Sequence, residues 1–275
     1  MSFMWFFFLP AAMSIFWSAS LLLLRPRVMS AQWLIGLCML LMVFAISFMA
    51  IQGTRFVEHD FVFDALFRGT AALCPPIFYL FVTSATMPRG LTRRSRLFFL
   101  PTLLYLAAFG LTVYKAGSAN YTLFMEELVK PGFVRPDGEH GLRSLIYVIY
   151  YGFGALMAVE VFLIVLHCTE KLRGFITRLR RYKADHPKFQ TPPGGVVWSF
   201  YLALPFMVAT MVCPYGILRS SVALSIIMSV LLACLLWAVG YYSYGLTFSA
   251  AQLRQLMLDE HMRKRQSAKT VEQTV

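Results

Sequence analysis

The sequence predicts an all-α, polytopic membrane protein with seven transmembrane helices, and three observations carry that prediction. Hydrophobic residues make up 59% and aromatic residues 16% of the 275, more than a water-soluble domain of this length carries. The apolar residues gather into runs close to the ~20 residues that cross a bilayer as a helix. The basic residues fall between those runs. A net charge of +12 on a soluble chain would point to nucleic acid, but such a protein spreads its basic residues over a polar surface. Here they mark membrane turns instead.

The first run covers residues 4–24 and is followed by Arg25 and Arg27. A signal peptide carries its positive charge before the apolar region, so this run reads as a retained helix with its N-terminus outside. The second run covers residues 31–51 and leads into the mixed-charge segment RFVEHDFVFDALFRG, expected at the membrane surface. Asp64 and Arg68 sit there at i,i+4, able to pair on one helix face at the outer interface.

The third run ends near Met87 and gives way to PRGLTRRSR, where Arg89, Arg93, Arg94 and Arg96 stand without an acid. With the fourth run, residues 97–114, it forms a transmembrane hairpin with a basic turn. Gly117, Pro131, Gly132, Pro136 and Gly138 break the following segment into a loop with a short helix at residues 121–129. The fifth run covers residues 144–167 and the sixth 195–217. Between them lies the most basic loop of the chain, with Lys171, Arg173, Arg178, Arg180, Arg181, Lys183 and Lys188. The seventh run, residues 222–248, is longer than a bilayer requires and so tilts or emerges as helix.

Two regions follow: a transmembrane domain over residues 1–248, and a tail over 249–275 that is first helical and then disordered. With seven crossings, 18 Lys and Arg lie on one side and 7 on the other. Cytoplasmic turns are the richer ones, so the C-terminus is expected in the cytoplasm.

Few residues suggest chemistry. Glu160 is the one ionisable group well inside an apolar run, where charge is costly. It reads either as a proton or conformational switch or as a neutral acid that fixes helix packing. Pro75, Pro76, Pro101, Pro205 and Pro214 predict kinks that can open a ligand cavity. Arg68, Tyr147, Tyr150 and Tyr151 are candidates to line it, although tyrosines near an interface also serve as belt anchors. Leu253, Leu256 and Met257 have helical spacing in the tail. They suit pairing with a partner or a second copy, or a solvated tail lying on anionic lipid.

The five cysteines show no C-x-x-C and no pair in one polar loop, so neither a disulfide framework nor a metal site is expected. No H-E-x-x-H or G-x-S-x-G occurs, and paired intramembrane carboxylates are missing. No cofactor and no catalytic activity are expected. A transporter would show internal repeats, which the chain lacks.

Pro75, Pro76, Phe78 and Tyr79, the basic turn, then Phe98, Phe99, Leu100 and Pro101 form a succession that resembles a known membrane region. It is that of bacterial regulators joining a seven-helix sensor to an AraC-type DNA-binding domain. Arg180, Arg181 and Tyr182 before the sixth run look similar too. Phe98 stands where that family commonly has His. The 27 residues after Phe248 leave no room for a DNA-binding domain of roughly a hundred residues. The resemblance implies a sensory protein of the bacterial inner membrane that signals through a separate partner. Arg89, Arg93, Arg94, Arg96, Arg178, Arg180 and Arg181 would contact that partner or anionic lipid, with a homodimer as a further expectation. A small-solute transporter or an integral-membrane enzyme is the competing expectation.

Overall fold

The computed structural model describes residues 5–23, 30–53, 61–86, 93–117, 120–121, 123–124, 141–185, 222–244, 255 and 258. All the regular structure among them is helical: α1 (Trp5–Leu23), α2 (Ser30–Gly53), α3 (Phe61–Thr86), a 3-10 segment (Arg93–Phe99), α4 (Leu100–Ala116), α5 (Leu142–Asp185) and α6 (Val222–Tyr244). Helices alone satisfy every backbone group within one segment, which is what an apolar surrounding demands.

The helices pack as a row in which α1 lies between α6 and α2, and α3 between α2 and the α4–α5 pair. α3 is the hub. Its apolar window is 67% buried, against 22% for α4 and 28% for α5. Small side chains make this possible, because Ala71, Ala72 and Cys74 are wholly buried on α3 and let neighbouring backbones approach. Gly240 does the same on α6, where a Cβ would overlap the Trp17 indole. The outer faces of α4 and α5 carry Leu103, Leu104, Leu111, Val159, Phe162 and Leu166, all exposed and suited to lipid.

The seven-helix expectation is overturned, and what stands is an all-helical, multi-span membrane protein. Among the described residues, three helices are long and apolar enough to cross a membrane: Asp64–Thr86, Arg96–Ala116 and Ser144–Asp185. Within α1, α2 and α6 the described apolar stretches Phe8–Leu23, Gln32–Ser47 and Ser229–Tyr244 run 10–17 residues and are not counted among these three. The expected sixth span, residues 195–217, lies outside the described residues. The orientation that rests on an odd number of crossings falls with the seven-helix expectation.

Two local expectations change as well. The segment after residue 167 is no loop: α5 runs unbroken for 44 residues to Asp185. Leu172, Leu179 and Tyr182 are buried, while Arg173, Arg180, Arg181 and Lys183 are exposed. That is helical amphipathicity carried by residues that are basic on average, so composition alone read as a turn. Asp64 and Arg68 belong to α3 itself and are buried, at 1% and 3% exposure.

Candidate functional site

The polar groups of the spanning helices converge around α3, beginning with its own prolines. Pro76 has no N–H, so the Ala72 carbonyl four residues earlier loses its helical donor. Thr102 of α4 replaces it, with Oγ1 3.1 Å from Ala72 O. The same oxygen lies 3.2 Å from each carboxyl oxygen of Glu160 on α5. Glu160 is 4% exposed.

A hydroxyl has one proton and two acceptor lone pairs. When Thr102 donates to Ala72 O it can only accept from Glu160, which requires a protonated carboxyl. When Glu160 is ionised, Thr102 donates to it and the Ala72 carbonyl stays without a donor. The protonation state of Glu160 and the hydrogen bonding of the carbonyl that Pro76 frees are therefore linked through one atom.

About one helical turn away on α3 and α4 lies a second cluster. Arg68 Nε donates to Asp64 Oδ2 at 2.7 Å, and Nη1 donates to the Tyr105 hydroxyl at 3.2 Å and to Tyr150 O at 3.4 Å. The guanidinium also stands over the rings of Tyr150 at 4.0 Å and Phe153 at 5.0 Å. Asp64 accepts a further bond from the Tyr121 hydroxyl. Burial, followed by the charge of Asp64, raises the Tyr121 phenol above its ordinary value of 10.0, so it remains a donor. Each charge here is paired and surrounded by aromatic rings, which is how a buried ion pair is tolerated.

A third cluster sits where α3 ends. Lys171 of α5 donates to the Tyr79 hydroxyl and, at 3.1 Å, to Thr83 Oγ1. Arg178 Nη2 donates to Thr86 O at 3.2 Å, capping the carbonyl end of α3. Phe98 packs on Tyr79 with ring centroids 4.1 Å apart and edge-on to His167 at 5.4 Å.

Of the residues expected to line a ligand cavity, the structure brings Arg68 and Tyr150 together. Tyr147 turns instead to Phe124, with centroids 4.6 Å apart, and Tyr151 is 58% exposed. Arg96, Arg178, Arg180 and Arg181 are exposed. Arg89, Leu253, Leu256, Met257 and the side chains of Arg93 and Arg94 lie outside the described residues. Among those described, no group of three or more His, Cys, Asp or Glu is placed to hold a metal ion.

Sequence reasoning missed Thr102, Tyr105, Tyr121, Tyr79, Thr83 and the role of Lys171. Only Thr102 had a usable signal: a proline frees the carbonyl four residues before it, and a hydroxyl on a neighbouring span is a ready donor.

Fold and site together define a multi-span, all-helical membrane protein with buried polar clusters between its spans. Comparison with protein-family models, with curated proteins and with solved structures finds no match.

Proposed function

We propose that the chain is a sensory, signal-transducing protein of the bacterial inner membrane that acts through a separate partner and has no catalysis of its own. The observation that carries this reading is α5. One unbroken 44-residue helix holds Tyr150 in the Arg68 cluster, Glu160 against the α3 kink and Lys171 at the end of α3. It then presents Arg180, Arg181 and Lys183 to solvent. At ~1.5 Å per residue its length is about 66 Å, roughly twice the ~30 Å hydrocarbon core. A change at the kink has a rigid path to an exposed basic surface. The resemblance of the Pro75–Pro101 region to the membrane sensor of AraC-type regulators supports the same reading. Arg68 and Tyr150 are then the input end, Glu160 the switch, and the exposed arginines the partner contact.

Hydrogen exchange of the protein in lipid nanodiscs, between about pH 5 and about pH 9, tests the coupling. Tyr105 lies one turn beyond Thr102 on α4, Arg68 one turn before Ala72 on α3, and His167 about two turns beyond Glu160 on α5, so Arg68→Lys and His167→Gln serve as controls. The expected result is protection in residues 171–185 that depends on pH in the native chain and not in Glu160→Gln. Identical exchange in both chains would reject the switch. Proton-coupled solute flux in vesicles, abolished by Glu160→Gln, would replace the sensor with a transporter.

A further inference from the structure

We propose that Lys171, Tyr79 and Thr83, with Arg96 and Arg178 around them, form a binding site for the phosphate of an anionic phospholipid. An ammonium group has three donors. Lys171 directs one at the Tyr79 hydroxyl and one at Thr83 Oγ1, both neutral, and among the described residues no carboxylate pairs with it. It is half-buried, standing 4.0 Å from the centre of the Tyr79 ring. A half-buried cation with a donor to spare, and no carboxylate partner among the described residues, is suited to take an anion.

Depth selects which anion. Tyr150, beside Arg68, and Lys171 are separated on α5 by about 21 residues, roughly 31 Å at ~1.5 Å per residue. Thr83, the partner of Lys171, lies three residues before Thr86, where the apolar span of α3 ends, so Lys171 stands at that end of the bundle, at the depth of lipid headgroups. Two arginines belong to the same end of the bundle. Arg178 is two turns further along α5, anchored on Thr86 O, and Arg96 is exposed on the 3-10 segment that Phe98 pins to Tyr79 and His167. The site differs from general attraction of basic residues to a charged membrane, because Lys171 is held by two hydroxyls in one geometry. Arg180 and Arg181 lie about 14–15 Å beyond Lys171 along the helix and, unlike Arg178, which reaches back to Thr86 O, make no side-chain bond to α3 among the described residues.

Native mass spectrometry of the full chain, released from neutral detergent with added phosphatidylglycerol or phosphatidylcholine, reads the site directly. The native protein should hold phosphatidylglycerol about tenfold more tightly than phosphatidylcholine. Lys171→Gln should erase that preference, Lys171→Arg should keep most of it, and the pair Arg180→Gln with Arg181→Gln should leave it intact. If Lys171→Gln fails to fold, Thr83→Val provides the same reading through a loss of about threefold or more. Unchanged preference in Lys171→Gln, or in Thr83→Val where that variant stands in, would overturn the site and leave Lys171 as a structural tie between α5 and α3. Equal loss in the Arg180/Arg181 pair would overturn it in favour of diffuse attraction. Inorganic phosphate should fail to displace the lipid; displacement at equal concentration would reassign the site to free phosphate.

Discussion

Replacing Arg68 with methionine gives the most direct measure of how this bundle is held together. The change removes the guanidinium from Asp64, Tyr105 and Tyr150 while keeping an unbranched apolar stem. Asp64, at 1% exposure, then keeps its bond from Tyr121 but loses its counter-charge. Breaking one half of a buried pair costs about 3–5 kcal/mol. On the scale of ~1.4 kcal/mol per factor of ten, the unfolding equilibrium shifts from about 150-fold to several thousandfold. Asp64→Asn alone should cost a similar amount, because it strands the guanidinium. The double variant Asp64→Asn with Arg68→Met leaves no buried charge and should be more stable than the sum of the singles by at least ~2 kcal/mol. Reversible unfolding in mixed micelles of neutral and anionic detergent, followed by helical circular dichroism, gives all four values. Single costs below ~1 kcal/mol that add in the double variant would mean the pair is solvated, and the account of a buried aromatic-lined ion pair would be refuted.

Three further outcomes are expected. Glu160→Gln retains an amide donor for Thr102 and should change stability by less than ~1 kcal/mol, whereas Thr102→Val strands the Ala72 carbonyl and should cost ~1–3 kcal/mol in the same assay. Gly240→Ala forces a methyl into the Trp17 indole and should cost ~1–3 kcal/mol, with Trp17→Ala in the same chain recovering part of the loss. The raised Tyr121 phenol gives a stability contribution fully present below the ordinary value of 10.0 and lost as pH rises above it. Unfolding midpoints should therefore be insensitive to Tyr121→Phe substitution in slope below about pH 10, and the native chain alone should show the alkaline decline assigned to this phenol.

Helix and membrane were legible in the sequence because apolar residues recur in runs near bilayer length, and that signal survives any arrangement of neighbours. The number of crossings was not. Residues 5–23 and 30–53 are as apolar as α3, so composition alone does not separate them from the three long spans. The Asp64–Arg68 pair could be read from its i,i+4 spacing alone, since that contact lies within one helix. Its burial could not, because Tyr105, Tyr121 and Tyr150 come from separate segments that only the fold brings together. The basic stretch from Lys171 to Lys183 has the composition of a loop, although it is helical, for a related reason. Charge density resembled a turn, and the apolar side of that stretch became informative only once α3 was known to lie against it.

The spacing of these clusters has a consequence for how α5 can move. Tyr150 is tied through its carbonyl to Arg68, and Lys171 to Tyr79 and Thr83, so α5 is fastened to α3 at two points about 31 Å apart. Sliding one helix past the other by a full turn would break both attachments and strand two charged groups, which makes such a shift costly. Bending is cheaper. Between the attachments α3 carries Pro75 and Pro76, and the Ala72 carbonyl that Pro76 frees is bonded to Thr102, which also meets Glu160. The region between two fixed ends thus contains the one place where the helical ladder is already interrupted. If Glu160 gains or loses a proton as proposed, a single hydroxyl bond is redistributed at that interruption, and with both ends of α3 held, bending of α3 there is a cheaper response than a slide along α5.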